Sequence, residues 1–433
     1  MSGDGYWADD AANGGEATDV ERDDKSDMNG TNVSHGKQLA PAQDKYVLSD
    51  AQLAKVKAGL AEAAVGSWEI GTRIQALLEF DAPSYSVYTP AGNTLPFPKQ
   101  VPTDVQLSIE PVFAIARDVV RKRNASNNNT KGPQQLMKDG SAADPVSIGV
   151  GVLLAGWTGQ STKDGLDYFG AATDQLEFLW TDIPRTWDGA FSHRMEMVQL
   201  RNDYLSMVPP FLVYYGVQTQ NKTLIREAYE QIRLYRSYLI DIRSETRNLW
   251  KHVLLGNGAP GLPSNDPGHW STGNAWVAAG ALRVLATIKY SSYADSFINE
   301  QADLVRWTKE IHAAMYRRLD ETGIFKNYVT NDPEVPISSS SFYDAASTAL
   351  LASTVYRLSV LEGECESIQY AERSRKALFA PHSKHITEEG WLKPVVNPYN
   401  YRLEGSKSAE GQAFVLMLHA AWRDWVEKGS PGT

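Results

Sequence analysis

Between positions 193 and 203 the chain places His193, Arg194, Arg201 and Asp203: an imidazole, two guanidiniums and a carboxyl within eleven positions. Such a set can move a proton and grip an anion. Asp203 and Met207 are four residues apart and share a face wherever that turn is helical. Pro209 and Pro210 follow, then an apolar run to Gly216. Proline is tolerated in a first helical turn but not in the interior. Asp203 therefore falls just before a helix start, in a turn or a single frayed turn. A helix N-terminus there adds positive potential for an anionic ligand. The plainer alternative is a solvated charged loop in which Asp203 caps a turn.

A second stretch, GHWSTGNAW from Gly268 to Trp276, precedes an apolar helix. Indole faces suit stacking on sugar rings, and an amide such as Asn274 suits hydroxyls. Trp270 has packing under the adjacent helix as its alternative role. Asp144 opens another apolar helix, PVSIGVGVLLAGW, where an N-cap is the default role of an aspartate. His252, in LWKHVLLG, is a ligand contact or a satisfied, half-buried histidine. Tyr343-Asp344 before AASTALLAS reads mainly as a cap.

Composition excludes several function classes. Twelve Trp, twenty Tyr and twelve Phe make an aromatic load common in carbohydrate-active proteins. Net charge is −10, and residues 1–44, with ten acidic and three basic side chains, carry −7 of it. The remainder is nearly neutral and has no basic stripe, so nucleic acid is not an expected partner. Cys365 is the single cysteine, which rules out an intrachain disulfide and has no sequence partner for nucleophilic work. His382 and His385 lack a Cys or acidic residue at metal spacing, and no phosphate-cradling glycine loop occurs, so neither metal nor cofactor is expected. No apolar run reaches the length of a membrane span. No signal peptide is visible; the protein is expected to be cytoplasmic, or secreted if the native start is missing. N-x-S/T sequons, among them those at Asn32, Asn124, Asn128 and Asn221, suit the second setting. A monomer is expected.

The elements that must position these residues are helical. Residues 1–44 are too poor in apolar side chains to fold and are expected to be a disordered tail. From Ser49 onward, about twelve helices follow in pairs, with caps expected at Ser49 and Thr103 and a Pro-rich surface loop over residues 81–102. Strand signals are few. Paired antiparallel helices without sequence-level repeats suggest a closed α/α toroid over residues 45–433 rather than an open solenoid. Loops at one end of such a ring can meet over a cavity.

Three stretches resemble a known group. WSTGNAW resembles the W-x-R-G-N-G-W segment of the unsaturated glucuronyl and rhamnogalacturonyl hydrolases, glycoside hydrolase families 88 and 105. PRTWDGAFSHR is similar to their P-R-T-x-x-G-x-F/W-x-H-K. RNDYLSMVPPF is similar to their W-x-D-x-x-Y-M-x-x-P-F. The chain looks closer still to fungal six-hairpin glycosidase-like proteins, over about residues 45–427. The resemblance implies an all-α six-hairpin (α/α)6 toroid. It implies removal of a terminal 4,5-unsaturated uronic acid from lyase-generated oligosaccharides, by protonation of the vinyl ether and addition of water. It implies Asp203 as proton donor and later water activator, with a raised pKa, and Asp144 as second acid. Trp68, Arg194, Met207, His252 and Trp270 would contact substrate, together with Asn274. Two positions depart from the pattern. The family's Arg before G-N is Thr272, and the Trp two residues before the catalytic Asp is Arg201. Arg201 is expected to replace the lost guanidinium on the substrate carboxylate. Other possibilities on this fold are a polysaccharide lyase, another (α/α)6 glycosidase, or an inert carbohydrate-binding protein.

Overall fold

The computed structural model of the protein describes residues 44–256, 265–331 and 342–431. The segment expected to be disordered, residues 1–44, lies outside them except for Asp44. Among the described residues twelve helices of eight residues or more follow in order. They are α1 (Asp50–Ala63), α2 (Ser67–Asp81), α3 (Thr103–Ser126), α4 (Gly149–Trp157), α5 (Tyr168–Thr181) and α6 (Pro209–Gln218). Then come α7 (Lys222–Leu239), α8 (Ser271–Lys289), α9 (Ile298–Tyr316), α10 (Ala345–Glu362), α11 (Ile368–Phe379) and α12 (Ala409–Glu427). The even-numbered helices form an inner ring in which each packs on the next, and α12 returns to pack on α2. The odd-numbered helices lie outside it. This is the closed six-hairpin toroid.

The division into inner and outer helices follows from composition. Helices α6, α8, α10 and α12 are buried along nearly their whole length, as helices apolar all round must be. Helix α7 buries one stripe of Leu, Ile, Ala and Tyr and exposes its charged face. Ser49 closes a capping box with Gln52 at the start of α1, and the Pro209-Pro210 pair occupies the first turn of α6. Two expectations fail locally. Thr103 is the first residue of α3, and Pro102, which has no side-chain donor or acceptor, stands at the cap. The 81–102 segment is not a surface loop: Tyr85, Tyr88, Leu95 and Phe97 are buried. The Arg357 guanidinium lies 4.6 Å over the Tyr88 ring and pairs with Glu79 at 2.9 Å and with Asp424. Aromatic burial outweighs the extended, Pro-rich character of that stretch.

Because alternate helices of a hairpin ring run in the same direction, the N-termini of the inner helices gather at one end. Close backbone approach sets two of them. A Cβ at Gly71 in α2 would lie 2.0 Å from Ser147 Oγ, in the 3₁₀ segment Asp144–Ile148 that precedes α4. A Cβ at Gly280 in α8 would lie 2.0 Å from the carbonyl oxygen of Leu205, in the single turn Tyr204–Met207 that follows Asp203. Only glycine allows these contacts.

Candidate active site

A cavity of about 250 Å³ opens among the inner-helix N-termini, lined chiefly by Trp68, Asp144, Arg194, Arg201, Asp203, Met207, Trp270, Tyr399, Tyr401 and Glu410. A larger groove, about 1110 Å³, runs along α3 and holds none of the predicted residues. Seven of the nine residues singled out in sequence thus meet in one cavity. The other two are set back from it. Asn274 is fully buried, and its amide accepts from Trp250 N at 2.8 Å and donates to the carbonyls of Trp250 and Trp270, each at 2.9 Å. The expected sugar contact of Asn274 gives way to a structural one, because all its polar capacity is spent on backbone. His252 is also fully buried. Its Nδ1 lies 2.9 Å from Asp266 Oδ2, and its ring packs behind Trp270 and Tyr401 at centroid distances of 4.5 and 4.4 Å. Its Nε2 has no hydrogen-bond partner.

Short extended pairings hold the acidic residues in place. Leu200–Arg201 (β1) pairs antiparallel with Val253–Leu254 (β2), Arg201 opposite Val253. Asn202 N donates to the His252 carbonyl at 3.0 Å, and Asp203 follows at the head of its turn. On the other side Ser141 bridges Arg194, and Ala142 N donates to the His193 carbonyl at 2.9 Å. That places Asp144 beside His193. Neither aspartate serves as a cap: no capping hydrogen bond runs to the side chain of Asp203, and none is made by Asp144 at its helical start. Asp344, by contrast, is the cap of α10. It accepts from Ala346 N and Ser347 N and also from Thr272 Oγ1 at 2.6 Å.

His193 lies between the two aspartates, with Nε2 3.5 Å from Asp144 Oδ1 and Nδ1 3.6 Å from Asp203 Oδ1. Both distances exceed those of hydrogen bonds. Ser141 Oγ is 3.3 Å from His193 Nε2 and donates to the His193 carbonyl at 3.1 Å, while His193 Nδ1 and Asp203 Oδ1 make no hydrogen bond. Burial pushes the imidazole well below its ordinary pKa, so the ring is neutral.

The two carboxyls are driven apart. Burial, with Asp203 and Asp139 nearby, raises Asp144 to about 7 against the pull of Arg201 and Arg194. Burial would raise Asp203 as well, but the guanidinium of Arg201, 3.1 Å away, leads the charges that outweigh it and hold the carboxyl at about 2. The raised pKa expected of Asp203 is therefore found on Asp144, where burial causes it. Asp203 is kept low by the substitution that marks this chain, arginine two residues before the aspartate. Arg201 is engaged by Asp203 rather than left open for a substrate anion. Arg194 has no ion-pair partner among the described residues and lines the cavity.

Sequence reasoning missed Glu410, Tyr399 and Tyr401. The tyrosines sit on the longest strand among the described residues and its turn, Val395–Asn397 (β3) against Asn400–Gly405 (β4). The alternation in NYRLEG is the signal that could have placed them.

A ring of six helical hairpins, with carboxyls, guanidiniums and indoles gathered at one end, defines a six-hairpin glycosidase. The chain belongs to glycosyl hydrolase family 88, whose family model matches residues 121–401. No curated protein matches it by sequence. Among solved structures, a possible member of the GH105 family from Salmonella enterica subsp. enterica serovar Paratyphi A aligns with a TM-score of 0.65 and 18% identity, over 90% of this chain and 98% of its own. The unsaturated glucuronyl hydrolase of Bacillus sp. GL1, responsible for the degradation of glycosaminoglycan, aligns at 0.56 and 17%, over 88% and 96%. A glycosyl hydrolase family 88 protein from Bacteroides vulgatus aligns at 0.54 and 12%, over 87% and 99%. These likenesses are of fold.

Proposed function

We propose that this protein removes a terminal 4,5-unsaturated uronic acid from oligosaccharides, with Asp144 as the acid and Asp203 as the base. The observation that carries the reading is the pair itself: two carboxyls flanking one neutral imidazole, one at about 7 and the other at about 2. Environments that push two acids apart assign their roles. Asp144 keeps its proton at neutral pH and gives it to C4 of the C4=C5 vinyl ether. Positive charge then develops at C5 and the ring oxygen. The ionised Asp203 takes a proton from a water as its oxygen bonds to C5. The hemiketal so formed opens, and the neighbouring sugar leaves with its hydroxyl. Once product departs, Asp203 loses its proton to solvent and Asp144 regains one, each as its pKa dictates at pH below 7.

Other residues take binding roles in this reading. Trp68 and Trp270 offer apolar faces to sugar rings. Arg194, cationic and unpaired, holds the uronate carboxylate in place of the family guanidinium absent at Thr272. Incubation with lyase-generated oligosaccharides tests the whole. Loss of the ultraviolet absorbance of the conjugated double bond, together with its slowing by roughly 10²–10⁴ in Asp203→Asn, is expected. Gain of that absorbance on intact polymer would instead identify a lyase. Binding without any change would identify an inert carbohydrate-binding protein.

A further inference from the structure

A third carboxyl faces the cavity, on an element that the two aspartates do not use. Glu410 stands in the first turn of α12 and is 4% exposed. Its Oε1 accepts from Trp68 Nε1 at 2.8 Å, while its Oε2 is buried and has no hydrogen-bond partner. Beside it Glu69 Oε2 accepts from Val65 N, Gly66 N and the Tyr399 hydroxyl. An unmet buried polar oxygen destabilises the fold, and it persists here at the wall of a cavity fit for a sugar.

We propose that Glu410 is a substrate-binding residue, whose free carboxyl oxygen carries the proton and donates it in a hydrogen bond to an acceptor oxygen of the uronide lying against Trp68. The proposal rests on the reading of the cavity as a uronide site. The charges that press on Glu410 are acids, Glu69 from α2, Asp203 from the turn before α6 and Asp344 from the start of α10, while Arg194 and Arg201 line the same cavity, Arg201 paired with Asp203. Burial, then Glu69, push its pKa up to about 8 against the Trp68 hydrogen bond, so at neutral pH it is a donor. A neutral acid can approach an anionic sugar where a carboxylate would repel it. Above about 8 the donor is lost and a like charge appears, so affinity for the uronide falls.

The test measures calorimetric affinity for a lyase-generated unsaturated disaccharide in Asp144→Asn protein, in which turnover is slowed by roughly 10²–10⁴ and position 144 no longer titrates near pH 7. This parent is expected to lose about tenfold or more in affinity between pH 7 and pH 9, the scale of a hydrogen bond to a charged group. Adding Glu410→Gln keeps an acceptor for Trp68 and a donor for the sugar but cannot ionise. Its affinity should stay within about threefold of the parent at pH 7 and remain flat to pH 9. Adding Glu410→Ala should weaken binding about 3–10-fold at pH 7. A flat parent profile, or a Glu410→Gln profile as steep as the parent's, overturns the proposal while leaving the uronide reading intact. A parent that does not bind the disaccharide at all overturns that reading, and the proposal with it.

Discussion

Replacing Arg201 by methionine isolates what this chain does differently at its base. Methionine keeps most of the length and the apolar stem, and only the charge leaves. At 3.1 Å and an effective dielectric of 20, two unit charges attract by about 5 kcal/mol. The lowering of Asp203 from its ordinary 3.8 to about 2 is the part of that attraction left after burial is offset, roughly 2–3 kcal/mol. Without that guanidinium only weaker pulls, Arg194 among them, remain against burial, and the carboxyl should titrate above 4. The assay is kcat/KM for an unsaturated disaccharide from pH 4 to 8, with circular dichroism at each pH to show that the variant stays folded. Wild type should be level from pH 4 to about 6 and fall above 7 as Asp144 loses its proton. Arg201→Met should add an acid limb, with activity several-fold below wild type at pH 4 and converging with it at pH 6. An Arg201→Met profile that stays level down to pH 4 would show that Arg201 does not hold Asp203 ionised. A wild-type rate that climbs through pH 7 would show that Asp144 acts as the base, reversing the assignment.

Asp144→Asn should lower kcat/KM by roughly 10²–10⁴ and yet raise the melting temperature at pH 8. A group whose folded pKa is raised, from 3.8 to about 7, loses stability as pH rises through that interval, by up to about 4 kcal/mol above pH 7; asparagine removes the penalty, and the two proteins should melt alike at pH 4. Thr272→Arg should lower the melting temperature whether or not Arg201→Trp accompanies it, since the side chain it replaces is fully buried and bonded to Asp344; restoring the family residues at both positions should therefore not restore uronide affinity in calorimetry. Gly280→Ala should cost at least 1–3 kcal/mol in urea unfolding, the range for overpacking, and should lower kcat by shifting the Tyr204–Met207 turn.

The helices were legible because most inner ones are buried nearly all round and outer ones such as α7 carry a stripe, a contrast visible in VAAGALRVLATI against REAYEQIRLYRS. Ring closure had no such local mark. The contact of α2 with α12 joins stretches over three hundred residues apart, and no period in either announces the other. At the site, Asp144, Asp203, Arg194 and Trp270 were found from motif order and spacing. Glu410 was not, because a glutamate in a first helical turn is already accounted for by the helix dipole. The order of the two aspartate pKa values was also out of reach. It turns on a single 3.1 Å contact across Asn202, where the chain leaves β1 and bends into the helical turn headed by Asp203.

The closure of the ring by its first and last hairpins also sets a timetable for the nascent chain. Trp68 leaves the ribosome early, and its partner Glu410 follows 342 positions later. Asp144, Asp203 and Trp270 are all translated before the cavity has its final wall. The first five hairpins can stack on one another as they emerge, since each packs on the one before it. Until α12 arrives, however, the exposed flank of α2 has no neighbour, and transiently bared apolar surface of that kind invites aggregation. Contacts of such sequence separation are also slow to find. Activity should therefore appear in a single late step of synthesis or refolding, well after helical structure is complete.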